Sequence, residues 1–429
     1  MTPAKPSVRV GRAHYVTCLV IVLVAYSAYV VAQKYKLYYF GWAACVAITA
    51  GLAFTQSIRV PRARGAFRSL AVFYAYLALT IIWAYSPART LYYLAGDLLM
   101  PTAFVLGLIW AQNTDKEDLG LYFEAMVLAN LVVIGYSLLS VGDVIDEAYY
   151  AIRSWYGFAF ATAIPFLVWR SSIRRSVVAR VLLLLCVGLL AVLGSRTGLL
   201  ALPLLMLGSF LVVWRVSPRR TLAWFGGFLI ASSVTLSIAI QVPSVEATFK
   251  EALSRFSSQN LSLDISSNVE EELSSQEAVD IDRRLQAFTA LQSFVESPVL
   301  GRGYMSTAAK TEDLYGREIS AHGLPFTLLG ETGLVGTVLF LLVLRSYFRR
   351  LLQLKRLAAT PAERGYYLIT LLTMGGMLFF GMTQQLHQNP AFFVTLAWAY
   401  GLRPSPAPAP TSRRQSPSST LAPAVGAPA

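Results

Sequence analysis

The chain has 429 residues, of which 55% are hydrophobic and 14% charged, and its mean hydropathy is +0.54. Soluble domains carry about 25% charged residues, so this composition excludes an ordinary water-soluble globule. The net charge of +13 would suit a nucleic-acid binder, but the placement of the charges, set out below, excludes that class too.

The N-terminal MTPAKPSVRVGRAHY is basic and runs into a long apolar stretch with no small-residue cleavage site, the pattern of a retained first helix. Hydropathy then predicts spans near 14–32, 38–55, 69–86, 90–111, 120–140, 155–169, 177–194, 198–214, 222–242, 324–346, 366–383 and 390–401. Most of these approach the ~20 residues needed to cross a ~30 Å hydrocarbon layer, the last being short. The expected fold is an all-α polytopic membrane protein with about twelve transmembrane helices. Its expected divisions are nine helices in 1–242, one large outer loop in 243–322, three helices in 323–403 and a disordered cytoplasmic tail in 404–429. That tail is rich in Pro, Ala and Ser and has no means of building a core. Cys18, Cys45 and Cys186 all fall inside apolar runs, so no disulfide framework or metal-spaced cysteine cluster is visible.

With the N-terminus in the cytoplasm, the cytoplasmic connections hold 24 Lys and Arg, whereas the short outer ones hold 5. This positive-inside bias accounts for the net charge without any nucleic acid. The outer loop instead is acidic, with 13 Asp and Glu against 7 Lys and Arg. Its middle, SSQNLSLDISSNVEEELSSQEAVD, is Ser/Glu-rich and expected to be mobile or loosely helical. Beyond it, Leu285, Phe288, Leu291 and Val295 recur at the spacing of an amphipathic helix, expected to lie on the outer membrane surface. Pro298 and two glycines end that helix.

A few outer charges need a reason of their own. Arg196 sits in a very short connection between two apolar helices, where it either snorkels to the headgroups or faces a cavity. Asp282-Arg283-Arg284 opens the surface helix and is either a solvated run or part of a site. His322, one of three histidines, precedes Gly323 and a span. Arginine forks pair bidentately with phosphate oxygens, and a neutral imidazole can take a proton from a hydroxyl. Together, Arg196, Arg284 and His322 suggest a lipid-linked phosphate attacked by an alcohol.

Other polar residues are supporting candidates. Glu331 is read as a buried tie between helices, with direct catalysis the minor alternative. Asp97, near Pro101, leans structural. His387 and Asn389 in QQLHQNP are candidates for lining an acceptor entrance, and Arg302 beside the Gly301/Gly303 turn for meeting a phosphate. The DID at Asp280–Asp282 mimics a metal-binding pair, but no nucleotide sugar is present outside the cell, so no metal site is assigned.

Four features resemble the bacterial O-antigen ligase and polymerase superfamily of membrane glycosyltransferases. SRTGLL is similar to its Arg-x-x-x-Leu element, with Arg196 and Leu200. RLQAFTALQSFVESPVLGRGY resembles its second arginine, aromatic and glycine turn, here Arg284, Phe288, Pro298, Gly301 and Gly303. HGLPFTLLGETGLVG resembles its His-x(10)-Gly-x-x-Gly signature, with His322, Gly333 and Gly336, and Glu331 in the usual acidic place. The late outer loop is the fourth. The chain departs at Gly323, where ligases carry Asn, Ser or Gln.

The resemblance implies a GT-C-like transferase in a Gram-negative inner membrane, with both termini cytoplasmic and its active site periplasmic. The donor would be a glycan on undecaprenyl diphosphate and the acceptor a lipid A–core sugar hydroxyl, with inversion and without metal or other cofactor. His322 would be the general base, and Arg196 and Arg284 would hold the diphosphate. Membrane lipids would be the remaining partners. The alternatives are an O-antigen polymerase, a protein O-oligosaccharyltransferase or, in another class, a lipid or solute transporter. The outer loop and histidine–glycine spacing favour the ligase, whereas a transporter would carry charges deep in broken helices and a repeat between halves.

Overall fold

The computed structural model describes residues 64–97, 99–113, 116, 119–140, 145–192, 196–240, 277–316, 323–384, 386 and 389–402. The predicted spans near 14–32 and 38–55, the middle of the outer loop and the tail lie outside these. The described chain is helical, and no strand occurs among the described residues. The helices are α1 (Arg64–Leu79, continued by a 3-10 turn Thr80–Trp83), α2 (Pro87–Asp97), α3 (Leu99–Asn113), α4 (Leu121–Ser140) and α5 (Ile145–Ile173). Next come α6 (Val177–Val192), α7 (Arg196–Val216), α8 (Pro218–Ile240), α9 (Glu277–Glu296) and α10 (Ser306–Tyr315). The last are α11 (Leu324–Thr327, leading into a π turn Leu328–Thr332), α12 (Gly333–Leu357), α13 (Pro361–Gly381) and α14 (Pro390–Gly401). The described residues of every span predicted from 69 onward are helical, with an interruption in one span.

Among the described residues, three stretches are long and apolar enough to cross a membrane: Pro87–Gln112, Thr197–Val216 and Leu324–Leu357. Shorter apolar helices cover Arg68–Trp83, Leu121–Val132 and Val177–Leu190. In lipid a spanning segment must satisfy its own backbone, which is why these apolar runs are helices. Four helices open on proline, at Pro87, Pro218, Pro361 and Pro390, where the missing N–H has no intrahelical partner to lose. At α13 the start is a capping box: Thr360 Oγ1 accepts the Glu363 N–H at 3.1 Å, and Glu363 reaches back to the Ala359 N–H at 3.1 Å.

Small residues let the helices approach. A Cβ on Gly107 of α3 would stand 2.8 Å from the Val394 backbone of α14, so only glycine allows this crossing. Further in, Trp398 of α14 meets Trp110, Tyr122, Phe123 and Phe166 edge-on, with ring centroids 5.5–5.8 Å apart. α5 packs against α6, α7 and α13, and α1 against α12. One end of the bundle is tied by ion pairs, Lys116–Glu363 and Arg170–Glu124. The opposite end carries α9, α10 and the π turn.

One predicted span is interrupted among the described residues. The 324–346 segment is not one helix: its π turn ends at Gly333, whose φ of +62° interrupts the α conformation. A π turn inside a helix is a rare local feature that concentrates at functional sites.

Candidate functional site

The break at Gly333 is made by a second segment seated against it. The turn Pro298–Gly303 and the π turn exchange backbone hydrogen bonds in both directions. Leu334 and Val335 donate to the carbonyls of Pro298 and Val299 at 2.9 and 3.1 Å, and Arg302 and Gly303 donate to those of Gly330 and Glu331 at 3.3 and 2.9 Å. Backbone groups orphaned by the broken helix thus find partners in a segment some thirty residues earlier. The fit requires two glycines facing each other, Gly301 at φ +72° and Gly333 at φ +62°. A Cβ on Gly333 would lie 2.5 Å from Gly301 N and from Val299 O. From α1, the buried Tyr76 hydroxyl reaches both halves, 2.9 Å from Leu300 O and 2.8 Å from Thr332 O.

Tyr304 extends the knot. Its N–H donates to Thr80 Oγ1 at 3.1 Å, its carbonyl accepts from Thr90 Oγ1 at 2.7 Å, and its hydroxyl donates to Asp97. Asp97 is thereby part of a helix tie, as its structural reading expected. Glu331, with no exposed surface, accepts the Met305 N–H on Oε2 at 2.8 Å and faces Thr307. These residues begin α10, so the carboxylate caps that helix from another element and meets the positive end of its dipole. Glu331 thus ties the π turn to α10.

An acidic and basic cluster surrounds this knot. Glu296 at the end of α9 takes Arg302 on Oε2, at 3.0 and 2.8 Å, and Lys310 of α10 on Oε1 at 2.8 Å. Lys310 is only 5% exposed. Its hydrogen bond, with that of Arg302, holds the Glu296 carboxyl below the usual carboxylate range. Arg89 pairs with Glu312, and the Tyr85 hydroxyl donates to Asp313 at 2.7 Å, which raises its pKa. Arg302, read as a phosphate ligand, instead has an intramolecular carboxylate partner here.

α9 is amphipathic as predicted. Phe288, Leu291 and Val295 are 42%, 49% and 77% exposed and form its outward stripe, the side available to lipid. Its inward face is polar and small: Gln286, Thr289, Ala290 and Ser293 are buried. Ala290 meets the π turn at Gly330, where a Cβ would stand 2.6 Å from the Ala290 carbonyl.

At the same end, α7 begins beside the end of α13: Thr197 Oγ1 lies 3.1 Å from Thr383 Oγ1. Gly323 meets that same turn, since a Cβ on it would stand 2.6 Å from Met382 O, and its φ is +92°. The side chain that ligases carry after the histidine does not fit at this position. Asn389 caps α14, its Oδ1 accepting the Ala391 N–H at 2.9 Å, and is buried. Arg196 and Arg284 stand on the first residues of α7 and in the first half of α9. Their side chains, with those of Asp280 and Asp282, and the whole of His322 and His387, lie outside what the structure describes.

Residues 181–341 match the family model described as O-Antigen ligase. That segment is similar to the O-antigen ligase family, which supports the O-antigen ligase and polymerase superfamily. A comparison with curated proteins returned no match. The matched segment runs from α6 into α12 and contains the whole interlocked turn, the start of α7 and Gly323. Sequence reading passed over Tyr76, Tyr304, Lys310 and the Thr197–Thr383 pair. Tyr304 did carry a signal, as the residue closing GRGY; Tyr76 and Lys310 carried none.

Proposed function

We propose that the chain is an O-antigen ligase, transferring a glycan from undecaprenyl diphosphate to a sugar hydroxyl of lipid A–core on the outer face of a bacterial inner membrane. In this reading His322 takes the acceptor hydroxyl proton as that oxygen attacks the anomeric carbon. The carbon–oxygen bond to the diphosphate breaks, its electron pair leaves with undecaprenyl diphosphate, and the anomeric centre inverts. Arg196 and Arg284 hold the diphosphate and stabilise the charge that builds on it. Preorganised cations act most strongly where water is scarce and charge develops, one such donor contributing about 10²–10³ in rate.

The observation that carries the reading is the meeting of the first turn of α7, Gly323 and the Met382–Thr383 turn at one end of the bundle. Arg196 and His322 directly precede Thr197 and Gly323 in sequence, which supports one shared site for the phosphate ligand and the base. The O-antigen ligase match over the same segment supports the reaction class.

The test is a gel of lipopolysaccharide from a strain lacking the gene. Free core, with O-antigen stranded on undecaprenyl diphosphate, is the expected outcome. Core capped with a single repeat unit would identify a polymerase instead, and an unchanged ladder would remove both readings.

A further inference from the structure

The opposite end of the bundle holds a second feature that the transfer reaction leaves unused. An open cavity of about 540 Å³ lies where α5, α7 and α8 end or begin, lined by Ile173, Val216, Ser217, Pro218, Arg219 and Arg220. From Ser171 to Val245 the sequence contains no acidic residue, yet it carries seven arginines. Six of them, Arg174, Arg175, Arg180, Arg215, Arg219 and Arg220, belong to this end. Arg219 and Arg220 are exposed and form no ion pair among the described residues. At the same end two other cations, Arg170 and Lys116, are paired with Glu124 and Glu363.

The surroundings are apolar and outward-facing. Val177, Val178 and Val181 of α6 and Leu222 of α8 are all at least 50% exposed, and α6 packs against α8. A cationic recess beside exposed aliphatic helix surface matches one ligand chemistry: a phosphate-bearing anionic head attached to acyl chains. Basic recesses between transmembrane helices bind such headgroups through guanidinium–phosphate pairs. We propose that this cavity binds the headgroup of an anionic phospholipid, with Arg219 and Arg220 as its phosphate ligands and the acyl chains along α6 and α8. The proposal does not depend on the transferase reading.

The test uses the full chain in a neutral detergent, titrated with detergent-solubilised cardiolipin or phosphatidylglycerol and read by native mass spectrometry and by thermal shift. Two cationic contacts, each worth about fivefold near a lipid surface, predict that R219Q/R220Q weakens binding by roughly 30-fold. R349Q/R356Q, which removes two exposed arginines of α12 away from the cavity, should leave it within about twofold, because screening confines charge effects to about 10 Å. Equal losses in the two variants would reduce the effect to diffuse surface attraction and overturn the site. Inorganic phosphate binding as tightly as cardiolipin would assign the recess to a free anion and likewise overturn it. A photoreactive phosphatidylglycerol on the unmodified protein is independent of variant folding. Adducts at Ile173 and Val216–Arg220 would support the site, whereas adducts spread over every loop at this end would refute it.

Discussion

Glu331 shows how one buried carboxylate joins two parts of the chain. Its Oε2 holds the Met305 N–H at the start of α10 while its own backbone belongs to the π turn. Glu331→Ala leaves the α10 terminus without its acceptor, and the expected cost is about 1–3 kcal/mol. Glu331→Gln keeps an oxygen there and should lose less, which thermal unfolding of the two variants in detergent will compare. His322 and Arg196 are expected to behave differently, with chemistry lost and stability kept. His322→Ala should lower transfer by about 10²–10⁴ with an unchanged melting temperature. Arg196→Lys should also be severely impaired, by about 10²–10³, because a point charge does not reproduce a bidentate fork. Lipopolysaccharide ladders from complemented knockout strains report both, and a full ladder in Arg196→Lys would return that residue to headgroup snorkelling.

Among elements, the interlock of Pro298–Gly303 with the π turn sets where α9, α10 and α12 stand. It is a backbone-to-backbone fit, so side chains at Gly301 or Gly333 cannot be absorbed by a rotamer change. Gly333→Ala should cost several kcal/mol, above the ~1 kcal/mol of an ordinary glycine exchange, since it combines a positive φ with a clash against Val299 and Gly301. A melting temperature equal to that of the parent would contradict the interlock. The Glu296 cluster adds a pH dependence. Its folded-state pKa is lowered, so its contribution is complete above the usual carboxylate range and fades as the pH falls through that range toward the lowered value. The stability gap between the parent and Glu296→Gln should therefore be largest near neutral pH and shrink on acidification, with a neutral-pH size of about 1–2 kcal/mol set by the buried Lys310 left unpaired. A gap that widens in acid would reverse the sign and refute it.

At the scale of the whole molecule, the two ends of the bundle carry different chemistry. One end has Lys116–Glu363, Arg170–Glu124 and the arginine-rimmed cavity; the other has the glycine interlock and the start of α7. Positive-inside counting predicts that the first faces the cytoplasm. A cysteine at the exposed Leu314 should then react with an impermeant maleimide in spheroplasts, whereas one at the exposed Leu357 should react only after lysis, each in a background lacking Cys18, Cys45 and Cys186. Labelling of Leu357→Cys in intact spheroplasts would invert the topology. Composition and apolar run length alone determined the helical membrane class and the helix positions from residue 69 onward, because each spanning helix satisfies its own backbone and needs no partner to be recognised. The chain's local motifs likewise pointed to the segment that matches the O-antigen ligase family model. What only the tertiary structure decided was the interruption at Gly333, the capping role of Glu331, the pairing of Arg302 with Glu296 and the reason no side chain fits at Gly323. Each of these depends on a partner distant in sequence: Val299, Met305 or Met382 for the first, second and fourth, and for Arg302 a competing carboxylate six residues away. Hydropathy and motif spacing report what a residue is and how far it stands from its neighbours along the chain, and neither encodes which distant backbone will press against it.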